Sequence, residues 1–222
     1  MQIEPVPGSL ERVLWLGGGP CAGKSTVADR LAVRHGLGVY HLDDWEEEHL
    51  ARLDPERQPT MDAFRRMSRD ERWVRRTPQV LAAEAMRYWG VESLGLIVED
   101  LRASFNGRSV LVEGPGLYPD CLAPVLAGPD QAVWLVATEQ FIRAVRAARP
   151  GRFWLPSSDP ELALGNIIAR DLLLTEHVRE TAHRRGFRVV EVSGQEDVEA
   201  VTAAVEAHFR RRLAVLRPVR ER

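Results

Sequence analysis

Short apolar runs bounded by turn residues recur along the chain, and the stretches between them carry apolar positions at a helical period. That alternation predicts an α/β fold with a parallel sheet covered on both faces. Val13 to Leu16 reads as the first strand, followed by a glycine-rich loop from Gly17 to Gly23 and a helix from Lys24 to His35 closed by Gly36. Val39 to Leu42 reads as a second strand ending in Asp43-Asp44, and Ser109 to Val112 as a third ending in Glu113-Gly114. Gln131 to Val136 and Phe187 to Val192 complete a set of five. Thr138 is placed to cap a helix that runs towards Arg149 and stops at Pro150-Gly151. Ser193-x-x-Glu196 has the form of a capping box ahead of an amphipathic helix with Val198, Val201, Val205 and Phe209.

Two stretches fall outside this alternation. Residues 45–105 read as a mostly helical insertion, dense in charges of both signs, at a place where a subdomain can cover a substrate. Residues 149–161, rich in Pro, Gly and Ser, join two helices and read as a lid. The whole of 1–222 is expected to form one domain.

Composition narrows the classes. With 222 residues and 45% hydrophobic content the chain can fill a real core, so disorder is not expected. A formal net charge of -2 leaves no strong positive field for non-specific nucleic-acid binding. Cys21 and Cys121 lack metal-ligand spacing, and the first ten residues lack a basic leader, so a cytoplasmic protein without a membrane partner is expected. A monomer and a homodimer fit equally.

Lys24 is the only lysine in the chain, and it stands in Gly18-Gly19-Pro20-Cys21-Ala22-Gly23-Lys24-Ser25. That is G-x-x-x-x-G-K-S/T, placed between a predicted strand and a predicted helix, where backbone N–H groups can converge on phosphates. Lys24 would reach the β and γ phosphates, Ser25 would offer its hydroxyl to Mg²⁺, and Thr26 would reach the α phosphate. Cys21 reads as a passive loop residue.

The carboxylates at strand ends form the second candidate group. Asp43 or Asp44 would orient or deprotonate an acceptor hydroxyl, or one of them, Asp44 best, would cap the helix near Trp45. Glu113, next to Gly114, would serve magnesium or the acceptor, or cap the following turn. Arg143, Arg146 and Arg149, with Arg152 beyond, can neutralise charge on a transferred phosphoryl group, although their spacing keeps some on a solvated face. Arg170, in an otherwise apolar helix one turn after Asn166, needs a phosphate or a carboxylate such as Asp171. The arginines of the insertion, from Arg52 to Arg76, are matched by acids and read first as solvated ion pairs.

Together, the loop at Lys24, Asp43-Asp44, Glu113-Gly114 and an arginine-bearing lid before Arg170 resemble the nucleoside-monophosphate kinase-like group of P-loop kinases, which includes adenylate, shikimate and gluconate kinases and chloramphenicol phosphotransferases. The resemblance implies a five-stranded parallel P-loop NTPase core, ATP and Mg²⁺ as cofactors, a lid closing over them, and a small-molecule or nucleotide acceptor above the strand ends. It implies catalytic roles for Lys24, Asp43, Arg146 and Arg149, and places Arg149, Arg170, Ser193 and Gly194 with Gly18 to Thr26 around the nucleotide. Asp43, Asp44, Trp45, Glu113, Gly114 and Arg152 then fall to the acceptor, and Ser25 and Glu113 to the metal. The chain departs from the group in lacking an aspartate at the third strand, a signature of an AMP- or shikimate-binding segment, and a zinc knuckle in the lid. A nucleotide switch binding a macromolecule through the Arg-rich insertion is the rival expectation.

Overall fold

The computed structural model describes residues 10–105, 107–148 and 154–216. Five strands, β1 (Val13–Gly18), β2 (Gly38–His41), β3 (Val110–Glu113), β4 (Ala132–Ala137) and β5 (Val189–Val192), form one sheet in the order β2-β3-β1-β4-β5. Every pairing is parallel, as the apolar runs predict. All five carboxyl ends therefore lie along the same edge of the sheet.

Alternation along the buried strands sorts side chains to two apolar faces. Trp15, Tyr40, Val112 and Trp134 point to one, where they meet helix α6 (Ser93–Ser104) and the long helix α9 (Pro160–Arg184) through Ile97, Leu101, Leu174 and Val178. Leu14, Leu16, Leu111, Val133 and Leu135 point to the other. There they meet α1 (Lys24–His35), α8 (Glu139–Ala148) and α10 (Val198–Leu216) through Leu31, Ile142, Val205 and Phe209.

Between β2 and β3 the chain builds the expected helical insertion: a 3₁₀ turn at Leu42–Trp45, then α2 (Glu46–Ala51), α3 (Pro59–Arg66), α4 (Arg69–Trp73), α5 (Pro78–Ala85), a π-helical segment at Met86–Glu92, and α6. Helix α7 (Pro119–Leu122) follows β3. The insertion holds one small apolar cluster of its own, around Met61, Tyr88 and Leu96, and shares a second, around Trp73, Leu81, Trp154 and Ile167, with the chain that runs into α9. Trp154 belongs to the stretch expected to be a lid, yet it is buried on the insertion, and Ser158 donates its backbone N–H to Asp70 at 2.7 Å. The described part of that stretch, 154–161, is thus docked. Arg149 to Phe153 lie outside the described residues.

Two boundaries differ from expectation. The Ser193–Glu196 hydrogen bonds form, but they close a turn around Gly194 at φ 84°, and α10 starts later, with Asp197 accepting the N–H of Ala200 at 2.7 Å. Asp44 does not cap α2, whose N-cap is Trp45 without a side-chain hydrogen bond, because the intervening 3₁₀ turn moves the helix start past the aspartates. Thr138 does cap α8, its hydroxyl accepting the N–H of Phe141 at 3.4 Å. Among the described residues no helix is long and apolar enough to cross a membrane.

Candidate functional site

The loop between β1 and α1 leaves the centre of the sheet at its carboxyl edge. Its glycines do two different jobs. Gly19 is pinned to the body of the protein: its N–H donates to the Leu135 carbonyl at 2.9 Å, and a Cβ there would stand 2.4 Å from Thr175 Oγ1 on α9. Gly23 faces open space at φ 76°, the left-handed region in which glycine is favoured. The N–H of Gly19 is therefore engaged by β4. Cys21, at φ 61°, is the one non-glycine residue in that region among those described, and Pro20 and Cys21 are partly buried while Ala22 is buried.

Helix α1 begins at Lys24 with no side-chain cap and no acidic residue in its first turn. Its first N–H groups and the positive end of its dipole are left without a counter-charge from its own first turn. Ser25 and Thr26 are exposed at this end. Lys24 bends back over the loop, Nζ donating to the Gly19 carbonyl at 2.9 Å. Burial lowers its pKa, and the nearby charges of Glu113, Asp43, Cys21 and Asp171 oppose that shift. Lys24, Asp43 and Glu113, chosen from separate parts of the chain, are thus brought within electrostatic reach of one another.

Glu113 ends β3, paired in register with Leu16 on one side and His41 on the other, and is 3% exposed. His41 Nδ1 donates to it at 2.7 Å, while His41 Nε2 sits 3.1 Å from Asp29 Oδ1. Burial tends to lower the His41 pKa, but the Glu113 hydrogen bond and the charges of Glu113, Asp29 and Asp44 outweigh it and the net shift is upward. A protonated ring can donate from both nitrogens, which is what this chain of partners asks of it. Sequence reasoning assigned His41 no role; the signal it missed is that His41 and Glu113 are the last residues of strands that turn out to be neighbours.

Asp43 and Asp44 are exposed in the 3₁₀ turn. Trp45 stacks on Tyr40 with ring centroids 4.9 Å apart, and a Cβ on Gly114 would stand 2.4 Å from Leu42 Cβ, so both residues hold the turn against the sheet. A cleft of about 70 Å³ opens beside Asp43, bounded by Glu46, His49, Tyr88, Trp89 and Pro115.

The arginines divide as their spacing suggests. Arg143 is exposed and bonded to Glu139 one turn earlier. Arg146 is buried, with Nε 2.7 Å from Asp171 Oδ2, and Arg170 meets the other oxygen of Asp171 at 2.7 and 3.0 Å. The Arg170 guanidinium also lies 5.3 Å from the Trp73 ring centre and 5.5 Å from that of Trp89. Asn166 donates to the Trp73 carbonyl at 3.0 Å. Arg149 and Arg152 lie outside the described residues. Ser193 and Gly194 follow β5 at the same sheet edge; Ser193 is bonded to Glu196 and Gly194 packs on Phe141.

Several of the insertion's arginines are engaged locally. Arg52 binds Asp100 at 2.6 Å, Arg65 and Arg66 share Asp62 at 2.9 and 2.7 Å, and Arg76 pairs with Glu84. Arg72 donates to the carbonyls of Phe64 and Arg65.

No family model matches the chain, and no curated protein matches it. Among solved structures it is similar to the crystal structure of an uncharacterized protein from Eubacterium ventriosum ATCC 27560, at 12% identity over 90% of this chain and 98% of that one, with a TM-score of 0.42. A likeness that slight carries no function.

Proposed function

We propose that the chain is an ATP- and Mg²⁺-dependent phosphotransferase with a P-loop core, moving a γ-phosphoryl group to a small-molecule or nucleotide acceptor. One observation carries the reading. The sole lysine of the chain folds back over a glycine-rich loop, at a helix end with no acidic residue in its first turn and with the carboxylates of Glu113 and Asp43 in electrostatic reach. An uncapped helix end next to an ammonium suits an anion, and the negative charge of a phosphate oxygen in place of the Gly19 carbonyl would offset the desolvation that lowers the Lys24 pKa.

In this reading the loop from Gly18 to Thr26 would cradle the nucleotide's phosphates through N–H groups other than that of Gly19, and Ser25 with Glu113 would hold the metal. The exposed hydroxyl of Ser25 and the buried, His41-oriented carboxylate of Glu113 are oxygen donors of the kind magnesium prefers. The bound metal supplies charge neutralisation on the phosphates. Asp43 orients the acceptor hydroxyl and receives its proton as the hydroxyl oxygen bonds to the γ phosphorus, while the broken bridging bond leaves its electron pair on the diphosphate. Lys24 offsets the charge developed on the transferred oxygens, and Arg146, held rigid by Asp171, adds positive charge from behind the loop.

The test is equilibrium binding of ATP with Mg²⁺ to wild-type and Lys24→Ala protein. Loss of one charge-assisted contact to phosphate predicts affinity weaker by about tenfold to a hundredfold. Equal affinity in the two proteins would remove the basis of the reading.

A further inference from the structure

We infer that the cleft beside Asp43 takes an acceptor that is a small hydroxylated amine, bound as its ammonium cation; this rests on the phosphotransferase reading and narrows its substrate class.

The cleft lies between the 3₁₀ turn with α2 on one side and the π-helical segment on the other. Among the described residues, the fixed charges in its lining are Asp43 and Glu46, and no lysine or arginine lines it. Three residues apart, the two carboxylates sit on one side of the turn and the helix that continues it. Asp43 belongs at once to this cleft and to the surroundings of Lys24, so a hydroxyl placed at Asp43 is beside the phosphoryl-transfer centre. Glu46 then stands one turn further along, where a second group of the same molecule would be.

Glu46 is held in place. The Tyr88 hydroxyl donates to it at 2.8 Å, and the Tyr88 and Trp89 rings, 5.9 Å apart, stand together on the wall that the π-helical segment presents. Burial, then the charge of Glu46, push the Tyr88 phenol upward, so it stays a neutral donor to that carboxylate. A carboxylate beside aromatic rings attracts an ammonium group by charge and by the ring quadrupole together. At the floor, His49 has its Nε2 2.7 Å from Asp100, which also takes the hydroxyl of Tyr40 and the guanidinium of Arg52. That histidine is therefore paired with a buried carboxylate and does not offer an isolated positive charge to a ligand.

An anionic acceptor meets the opposite arrangement. It would enter between two carboxylates, while Arg52, Arg65, Arg66 and Arg76 of the surrounding insertion are paired with Asp100, Asp62 and Glu84, and Arg72 is bonded to backbone carbonyls. Arg170 lines a separate, smaller cleft of about 20 Å³ that shares Tyr88 and Trp89, and its guanidinium is bonded to Asp171.

The experiment follows ADP release with Mg²⁺-ATP and three matched acceptor series on common carbon frames: amino alcohols and aminocyclitols, the corresponding neutral polyols, and the corresponding hydroxy acids and phosphate monoesters. Calorimetric titration of the same compounds, with a non-hydrolysable ATP analogue bound, runs alongside. The expected result is transfer to the amines that Lys24→Ala abolishes, with Glu46→Gln raising KM for the amine about tenfold or more, as loss of a charge-assisted contact predicts. The variant's kcat should stay within about twofold and its ATP affinity should be unchanged. Preferred transfer to the neutral or anionic series, or amine KM unmoved in Glu46→Gln, overturns the inference and leaves the phosphotransferase reading standing. Normal nucleotide binding with no calorimetric binding of any amine also overturns it. Failure of the wild-type protein to bind ATP sinks the phosphotransferase reading itself, and the inference with it.

Discussion

Asp171 holds two buried guanidinium groups on one carboxylate, close enough to the glycine-rich loop for its charge to act on Lys24. Its neutral isostere would remove the carboxylate charge that the buried Arg146 and Arg170 share. Asp171→Asn is expected to lower unfolding free energy by about 3–5 kcal/mol, measured by urea denaturation. An effect below about 1 kcal/mol would mean that the two arginines find other partners. From sequence, Arg170 needed either a phosphate or a carboxylate, because an isolated charge in an apolar helix is too costly; only the folded chain assigns Asp171, and brings Arg146 to it from another helix. His208 is a second residue whose state the fold sets. Its Nε2–H donates to the Ala132 carbonyl at 2.8 Å, and burial, only partly opposed by its backbone hydrogen bonds, lowers its pKa. The unfolded chain then takes up that proton more readily, so the histidine's contribution to stability is complete above about pH 6.5 and is lost as pH falls below it. Thermal unfolding from about pH 8 down to about pH 5 should show a smaller loss in His208→Gln, which cannot titrate, than in the wild type.

The insertion is a set of short helices that no single apolar face explains. Its pieces are joined by caps, such as Ser68 with Glu71 and Thr77 with Val80, and by aromatic side chains from outside it. Trp154 is the clearest case, being 4% exposed against Trp73, Leu81, Ala163 and Ile167. Truncating a buried tryptophan costs about 3–5 kcal/mol, and here the loss falls on a satellite cluster apart from the sheet. Trp154→Ala is accordingly expected to raise amide hydrogen exchange in α4 and the first turns of α9 while leaving the central strands β1 and β4 protected. Uniform loss of protection would show instead that insertion and sheet unfold as one unit. The Pro, Gly and Ser content of 149–161 pointed to a lid because such residues disfavour regular structure. Composition does not register that one tryptophan among them has a cavity waiting on a neighbouring helix.

For the molecule as a whole, the parallel sheet was legible because its evidence is local. Each strand is a short apolar run between turn residues, and Val13 to Leu16, Gln131 to Val136 and the glycine-rich loop with its lysine fall within a residue or two of where the structure has them. Strand boundaries moved where a polar residue continues the ladder, as Glu113 does at the end of β3. Arg52, Arg65, Arg66 and Arg76 of the insertion each meet a carboxylate, and paired charges of this kind offer little field to a distant polyanion. By itself, the amino-acid sequence determined the α/β class, the number of strands, the place of the insertion and the one loop where a lysine stands among glycines, all features written in contiguous residues. The tertiary structure decided which strands are neighbours. That in turn joined His41 to Glu113, brought Asp43 within reach of Lys24, closed Asp171 around two arginines and formed the acidic, aromatic cleft, because contacts between residues far apart in the chain are settled by packing and carry no local periodicity to read.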